Sequence, residues 1–260
     1  MRKHLSSMLA ALVAVAALSG CATTPTAELP TASDHTDSQK RARIRLQLAI
    51  GYYEQRQYQV ALDEIKQALQ ADPNLADAFS VRALVYMDMG EIRLAEENFL
   101  QAMRLAPHNP DLSNNYGWFL CQNGRPRDAI PQFELALKNR SYQSPAKALN
   151  NAGVCSLKLQ DQAAAERYFQ QAFQIEPGNP SVNLNLARIY YERRDYDRAR
   201  FYVNRLIKDE IFGADVLWLA IRIEQKRGDK AAVASLATQL RRRHPNSAEY
   251  AFFQRGAFDE

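Results

Sequence analysis

The sequence predicts an all-α protein: a solenoid of about six helix–turn–helix units with a capping helix at its C-terminus. Three observations carry this. From Arg41 almost to the end, apolar residues recur with helical spacing and no strand-like alternation interrupts them. Proline punctuates the pattern on a fixed beat, with Pro73 and Pro107 34 residues apart and Pro177 and Pro245 separated by twice that. Small residues keep the same period: Ala61 recurs as Ala95 and Ala129, and Ala68 as Ala102 and Ala136. After two extra residues around Ser141–Ser144, Ala165 and Ala172 continue the series. Repetition at fixed spacing reads as stacked supersecondary units, none of which can bury its apolar face alone.

The N-terminus is set apart from this pattern. MRKH is a positively charged start, and LSSMLAALVAVAALSG is apolar and small, too short for a comfortable membrane span. Residues 1–20 therefore read as an export signal that is removed. The segment ends in Leu18-Ser19-Gly20-Cys21, which resembles the bacterial lipoprotein signal. The resemblance implies cleavage before Cys21 and attachment of a diacylglyceryl group to its thiol. The alternative is an ordinary secretory signal that ends in Cys. In Gram-negative lipoproteins an Asp after the lipidated Cys favours retention in the inner membrane. Here Ala22 follows, so the resemblance implies the outer membrane, facing the periplasm. Several acyl chains at ~0.8 kcal/mol per buried CH₂ hold such a protein firmly. Residues 22–40, ATTPTAELPTASDHTDSQK, carry almost no large apolar side chains and read as a disordered tether. Its mean span is roughly 25 Å, from about 5–6 Å × √n.

Composition excludes more than it assigns. With 47% apolar and 24% charged residues the chain is of ordinary globular make-up. The net charge of +4 falls to +2 once Arg2 and Lys3 are removed with the signal, leaving 31 basic against 29 acidic residues. That balance gives no reason to expect a nucleic acid partner. Beyond the signal the histidines are His35, His108 and His244, none at ligand spacing from a cysteine. There is no HExxH, Walker-type loop or GxSxG, and carboxylates such as Glu96-Glu97 and Asp209-Glu210 fall on polar helix faces. No enzyme, metal, small-molecule substrate or cofactor is expected, the covalent lipid on Cys21 apart. Arg241-Arg242-Arg243 ends a helix and complements its dipole; contact with anionic headgroups is a second reading.

Within residues 41–260 the units fall at about 42–75, 76–109, 110–143, 146–179, 180–213 and 214–247, followed by a cap in which Tyr250, Phe252 and Phe253 cover the last open face. Stretches such as ALDEIKQALQADPN and AERYFQQAFQIEPGNP resemble the tetratricopeptide repeat, which implies a right-handed superhelix. That pattern wants Gly or Ala at position 8, Tyr at 11, Ala at 20, an aromatic at 24, Ala at 27 and Pro at 32. Aromatics fall in phase at Tyr52 and Tyr86, and at Phe99, Phe133 and Phe169. The fifth unit departs from it with Ile211 for Pro, the sixth with Val233 and Leu240 for Ala.

Two nearly repeated motifs, NNYG at 114–117 and NNAG at 150–153, need separate explanation. Gly117 and Gly153 stand at position 8, where a side chain would push the two helices of a unit apart. Glycine inside a helix costs ~1 kcal/mol, so a packing reason is expected. Asn115 and Asn151 stand at position 6, where the Asn of some repeat proteins takes a partner's terminal carboxylate. With their neighbours Asn114 and Asn150 they are candidate carboxylate or peptide contacts; hydrogen bonding within the array is the favoured alternative. Cys121 and Cys155 lie on the first helices of neighbouring units, in an oxidising compartment. Adjacent helices lie about 8–10 Å apart and a disulfide needs Cα atoms within about 7 Å. The expectation is two buried free thiols, with a disulfide as the alternative.

In the tetratricopeptide class, positions 2, 5, 9 and 12 of each first helix line a concave groove. Carried onto this chain, they are Arg43, Leu46, Ile50 and Tyr53, then Asp77, Ser80, Leu84 and Met87, then Asp111, Asn114, Trp118 and Cys121. Leu46, Ile50, Tyr53, Leu84, Met87 and Trp118 are thus the candidate partner-binding stripe; core packing is the alternative. Lys147, Asn150, Arg188 and Glu192 make the later face more polar.

The order of features, above all NNYGWFLCQNGRPRDAIPQF in the centre and QLRRRHPNSAEYAFFQRGAF at the tail, resembles the PilF/PilW family across nearly the whole chain after the signal. Members are outer-membrane lipoproteins of type IV pilus biogenesis. The resemblance implies a pilotin that binds the pilus secretin, brings it to the outer membrane and promotes its multimerisation. The competing reading is a repeat scaffold for another envelope machine, such as barrel assembly or peptidoglycan synthesis.

Overall fold

The computed structural model describes residues 36–208 and 213–258. Cys21, Ala22, His35, the signal, most of the tether, Asp209-Glu210 and Ile211 lie outside the described residues. The described chain holds thirteen α-helices and no strand, arranged as six antiparallel pairs and a terminal helix. The pairs are α1 (Asp37–Glu54) with α2 (Tyr58–Ala71), α3 (Ala76–Asp88) with α4 (Ile92–Leu105), and α5 (Pro110–Gln122) with α6 (Pro126–Lys138). They continue with α7 (Pro145–Lys158) and α8 (Gln162–Ile175), α9 (Pro180–Glu192) and α10 (Tyr196–Lys208), α11 (Ala214–Arg227) and α12 (Lys230–Arg243). The last helix, α13 (Ala248–Arg255), packs on α11 and α12. Among the described residues no helix is long and apolar enough to cross a membrane.

The periodic prolines act at the exits. Pro73, Pro107, Pro177 and Pro245 each stand two residues beyond a helix end, at Ala71, Leu105, Ile175 and Arg243, where a residue without an N–H cannot extend the helix. Pro110, Pro126, Pro145 and Pro180 open helices instead, since the first helical N–H has no intrahelical partner to lose. The first helix begins at Asp37, inside the segment expected to be tether. Thr36 accepts from the Gln39 N–H at 3.2 Å while the Gln39 side chain accepts from the Thr36 N–H at 3.0 Å. This is a reciprocal capping box, and Thr36-Asp37-Ser38-Gln39 spells it. The Ser38 hydroxyl also donates to the Ala71 carbonyl at the end of α2.

Every unit turns from its first to its second helix in the same way. A residue with positive φ sits at Arg56, Gly90, Gly124, Gln160, Arg194 and Gly228, which is position 15 of all six units. The N–H that follows it returns to a carbonyl five residues back, as in Gln57 to Tyr52 and Asp161 to Ser156, both at 2.9 Å. That bond satisfies one of the carbonyls orphaned at the helix end.

Between paired helices the core is built from small residues facing large ones. Gly117 and Gly153 are the extreme cases. A Cβ on Gly117 would come within 2.9 Å of Phe133 Cε1, and one on Gly153 within 2.6 Å of Phe169 Cε1. Phe99, Phe119, Phe133 and Phe169 are buried in one core that runs from the second unit to the cap. The first unit and part of the second enclose a separate cluster of Ala42, Leu46, Ala49, Ala61, Ile65 and neighbours, with no buried aromatic.

Candidate functional site

The first helices α1, α3 and α5 pack side by side and carry the candidate stripe. Ile50 and Tyr53 are half-buried against the N-terminal cluster, and Leu84, Met87 and Trp118 against the main core. Half-burial is what a groove wall requires: each side chain is anchored from behind and leaves apolar surface in front. Leu46 is a correction. It is only 5% exposed, because Ala42, Leu46 and Ala49 form the i, i+4, i+7 ridge of α1 that is buried. Tyr53 reaches across units, its hydroxyl donating to Asp88 Oδ2 at 3.0 Å. Burial and that carboxylate push its phenol well above the ordinary tyrosine range, so it stays a neutral donor at physiological pH.

Asn114 is a second correction. It is buried and accepts from Asn151 Nδ2 at 3.0 Å, while its own Nδ2 donates to Asn115 Oδ1 at 3.3 Å. Asn115 in turn donates to Ser80 Oγ at 3.4 Å. The amides thus form a ladder linking α3, α5 and α7, and Asn114 has no face left for a partner. Asn150 is half-buried and accepts from Ser181 Oγ at 3.1 Å, which ties α7 to α9. Hydrogen bonding within the array occupies these residues.

The thiol expectation is also corrected: Cys121 and Cys155 are joined in a disulfide with a Cα–Cα distance of 5.8 Å. The expectation compared the wrong lengths. The 8–10 Å spacing holds between helix axes, and each facing Cα stands about 2.3 Å off its axis toward the other. Facing Cα atoms therefore come about 4–5 Å closer than the axes. The Asn114–Asn151 hydrogen bond holds the same two helices together further along.

A second recess, unanticipated, lies at the other end of the first-helix series. Arg188, Tyr191 and Glu192 of α9, Asp215, Trp218, Leu219 and Arg222 of α11, and Glu249 and Phe252 of α13 enclose about 300 Å³. The Arg222 guanidinium lies over the Tyr191 ring at 4.8 Å, a cation–π contact. Arg188 pairs with Asp215 at 3.0 Å. Trp218 is 5% exposed, and its indole N–H is buried with no acceptor. Arg188 and Glu192 are the two residues of this recess that the sequence places on the later, more polar face. The position rule that names Leu84 and Trp118 also reaches Tyr191, Asp215, Trp218 and Arg222 when continued into units five and six.

Among the described residues no three His, Cys, Asp or Glu side chains converge as metal ligands would. The described surface offers, among its features, an apolar stripe at one end and a mixed apolar and charged recess at the other.

Comparison with known proteins agrees with this geometry. Tetratricopeptide repeat models match residues 80–144, 120–180 and 156–210. The type IV pilus assembly protein PilF of Pseudomonas aeruginosa is 32% identical over 209 residues, covering 80% of this chain and 83% of that protein. The solved structure of P. aeruginosa PilF superposes with a TM-score of 0.79 at 30% identity, over 85% of this chain and all of that one. The structure of PilW, described as a widely conserved type IV pilus biogenesis factor, gives 0.74 at 31% identity, over 82% of this chain and 98% of that one. An uncharacterised protein of Haemophilus influenzae is 29% identical over 67% of this chain. By sequence, repeat architecture and superposition, the chain belongs to the PilF/PilW family of tetratricopeptide-repeat proteins.

Proposed function

We propose that this protein acts in type IV pilus biogenesis as a lipid-anchored pilotin: it binds a secretin subunit, escorts it to the outer membrane and favours ring assembly there. The observation that carries the reading is the half-buried apolar stripe of Ile50, Tyr53, Leu84, Met87 and Trp118 across three consecutive first helices. An array of this kind works by holding a segment of another protein. Kinship with PilF and PilW supports the pilus as the setting. The Leu18-Ser19-Gly20-Cys21-Ala22 sequence supports an acyl anchor at Cys21 and outer-membrane sorting. A shared membrane address then raises the local concentration of bound secretin subunits.

The test is fractionation of cells lacking the protein, with the secretin detected without boiling. Secretin left monomeric or in the inner membrane, and restored by wild type but not by Cys21→Ala, is the expected result. Secretin rings forming normally in the outer membrane would sink the reading and favour a scaffold role in another envelope complex.

A further inference from the structure

We propose that the recess between α9, α11 and α13 is a second binding site of different chemistry, which takes an extended segment carrying a large apolar side chain beside a Lys or Arg. The proposal rests on the secretin reading above and names what a second part of that partner presents. Three features define the occupant. Trp218 Nε1 and Arg222 Nε are buried donors with no acceptor. Buried N–H groups left unpaired cost free energy that a ligand acceptor recovers, and a backbone carbonyl of an extended segment is a neutral acceptor of the right kind. Trp218, Tyr191 and Phe252 supply ring surface for one large apolar side chain. The charge is in excess on the acidic side: three carboxylates line the recess against two guanidiniums. Asp215 is spent on Arg188, which leaves Glu192 and Glu249 against Arg222, so a basic neighbour is favoured over an acidic one.

The closing helix can yield. None of the residues of α13 is fully buried, and its hold on Trp218 runs through ring contacts from Phe252 at 6.2 Å and, just beyond its end, Phe258 at 5.6 Å. An entering side chain displaces one aromatic contact with another.

The chain contains two tryptophans, and each stands in one of the two sites. Labelling the chain from Ala22 onward with 5-fluorotryptophan gives one ¹⁹F resonance per site, assigned with Trp118→Phe and Trp218→Phe. This chain keeps every described residue of the solenoid. The probe is the purified periplasmic part of the cognate pilus secretin, unlabelled. Both resonances are expected to shift on addition. Trp218→Phe keeps an aromatic ring but removes the donor, and should weaken binding about fivefold; Glu249→Lys, at a half-buried position on the recess wall, should weaken it about tenfold. If only the Trp118 resonance shifts and Trp218→Phe and Glu249→Lys bind as wild type, the second site is overturned and the pilotin reading survives. If neither resonance shifts, both fall.

Discussion

The fourth and sixth units solve one packing problem in opposite ways. In the fourth, Gly153 at position 8 of the first helix faces Phe169 at position 24 on the second. At the equivalent positions of the sixth stand Ile221 and Ala237, both buried. The large side chain has moved from the second helix to the first, and the small one has taken its place. The first unit has Ala49 and Ile65 there, the third Gly117 and Phe133, and the fifth Ala187 and Val203, all buried. Between most pairs what is kept is the summed volume at the helix contact rather than a residue type. Close packing demands this, since a gap and an overlap are both costly. The sixth unit looks degraded only when each position is read alone.

The two units also differ in how they are tied to their neighbours. The fourth is bonded covalently to the third through Cys121 and Cys155; no described residue links the sixth in that way. Replacing both cysteines by Ala should cost roughly 3–4 kcal/mol, the loop-closure value for a crosslink of this span. The two tryptophans, in units three and six, report the two regions separately during urea unfolding. The Trp118 transition is expected to move to lower urea by more than the Trp218 transition, because stability in a solenoid is a sum of local terms. Equal shifts would show that the array unfolds as one block, which would erase the distinction between the regions.

The volume exchange is open to a sharper test. At Gly153 a Cβ would meet three atoms of the Phe169 ring at 2.6–2.8 Å, whereas at Gly117 the nearest atom is at 2.9 Å. Gly153→Ala should therefore destabilise by roughly 1–2 kcal/mol, after the gain of helix propensity is subtracted from the overpacking cost. Gly117→Ala, whose Cβ meets Phe133 Cε1 at 2.9 Å and Gln132 Cβ at 3.1 Å, should also destabilise, by less than Gly153→Ala. Shrinking the facing ring relieves the overlap, so Gly153→Ala with Phe169→Leu should be less harmful than the sum of the single changes by about 1 kcal/mol. Strict additivity in thermal or urea unfolding would mean that the two side chains do not share one volume.

Much of this architecture is written in the sequence, because a 34-residue beat of Ala, Pro and aromatics is a direct image of stacked helix pairs. The glycines at 117 and 153 were readable for the same reason: an expensive residue inside a helix needs a close neighbour, and each has one. The misreadings share a cause. The repeat rule assigns residues to a face but does not say how far each is sunk, so Leu46 and Asn114 were placed in the groove although both are buried. Axis spacing argues against the disulfide, whereas the Cα spacing of 5.8 Å allows it. The cap's aromatics are legible as the cover of the last open face, but the repeat rule does not say that they leave a recess beside Trp218 instead of filling it. The start at Asp37 does carry a local signal, the capping box of Thr36 and Gln39, inside a segment whose composition reads as tether.

The smallest effect concerns the turn at position 15, where the same two units differ again. Gly228 takes φ +80° in the sixth, and Gln160 takes φ 60° in the fourth. Both turns close the same hydrogen bond, from Asp229 to Glu224 at 3.0 Å and from Asp161 to Ser156 at 2.9 Å. The backbone thus demands the left-handed conformation whichever residue stands there. A residue with a Cβ pays about 1–2 kcal/mol for it, while glycine gives back part of that through its greater freedom in the unfolded chain. Gln160 is exposed, so removing its side chain costs little packing. Gln160→Gly should therefore stabilise the protein by about 0.5 kcal/mol, and Gly228→Gln should destabilise it by a similar amount. Thermal unfolding midpoints that move in opposite directions would show one turn geometry imposed on both units; a loss of stability from both changes would show that the fourth unit's turn draws on Gln160 itself.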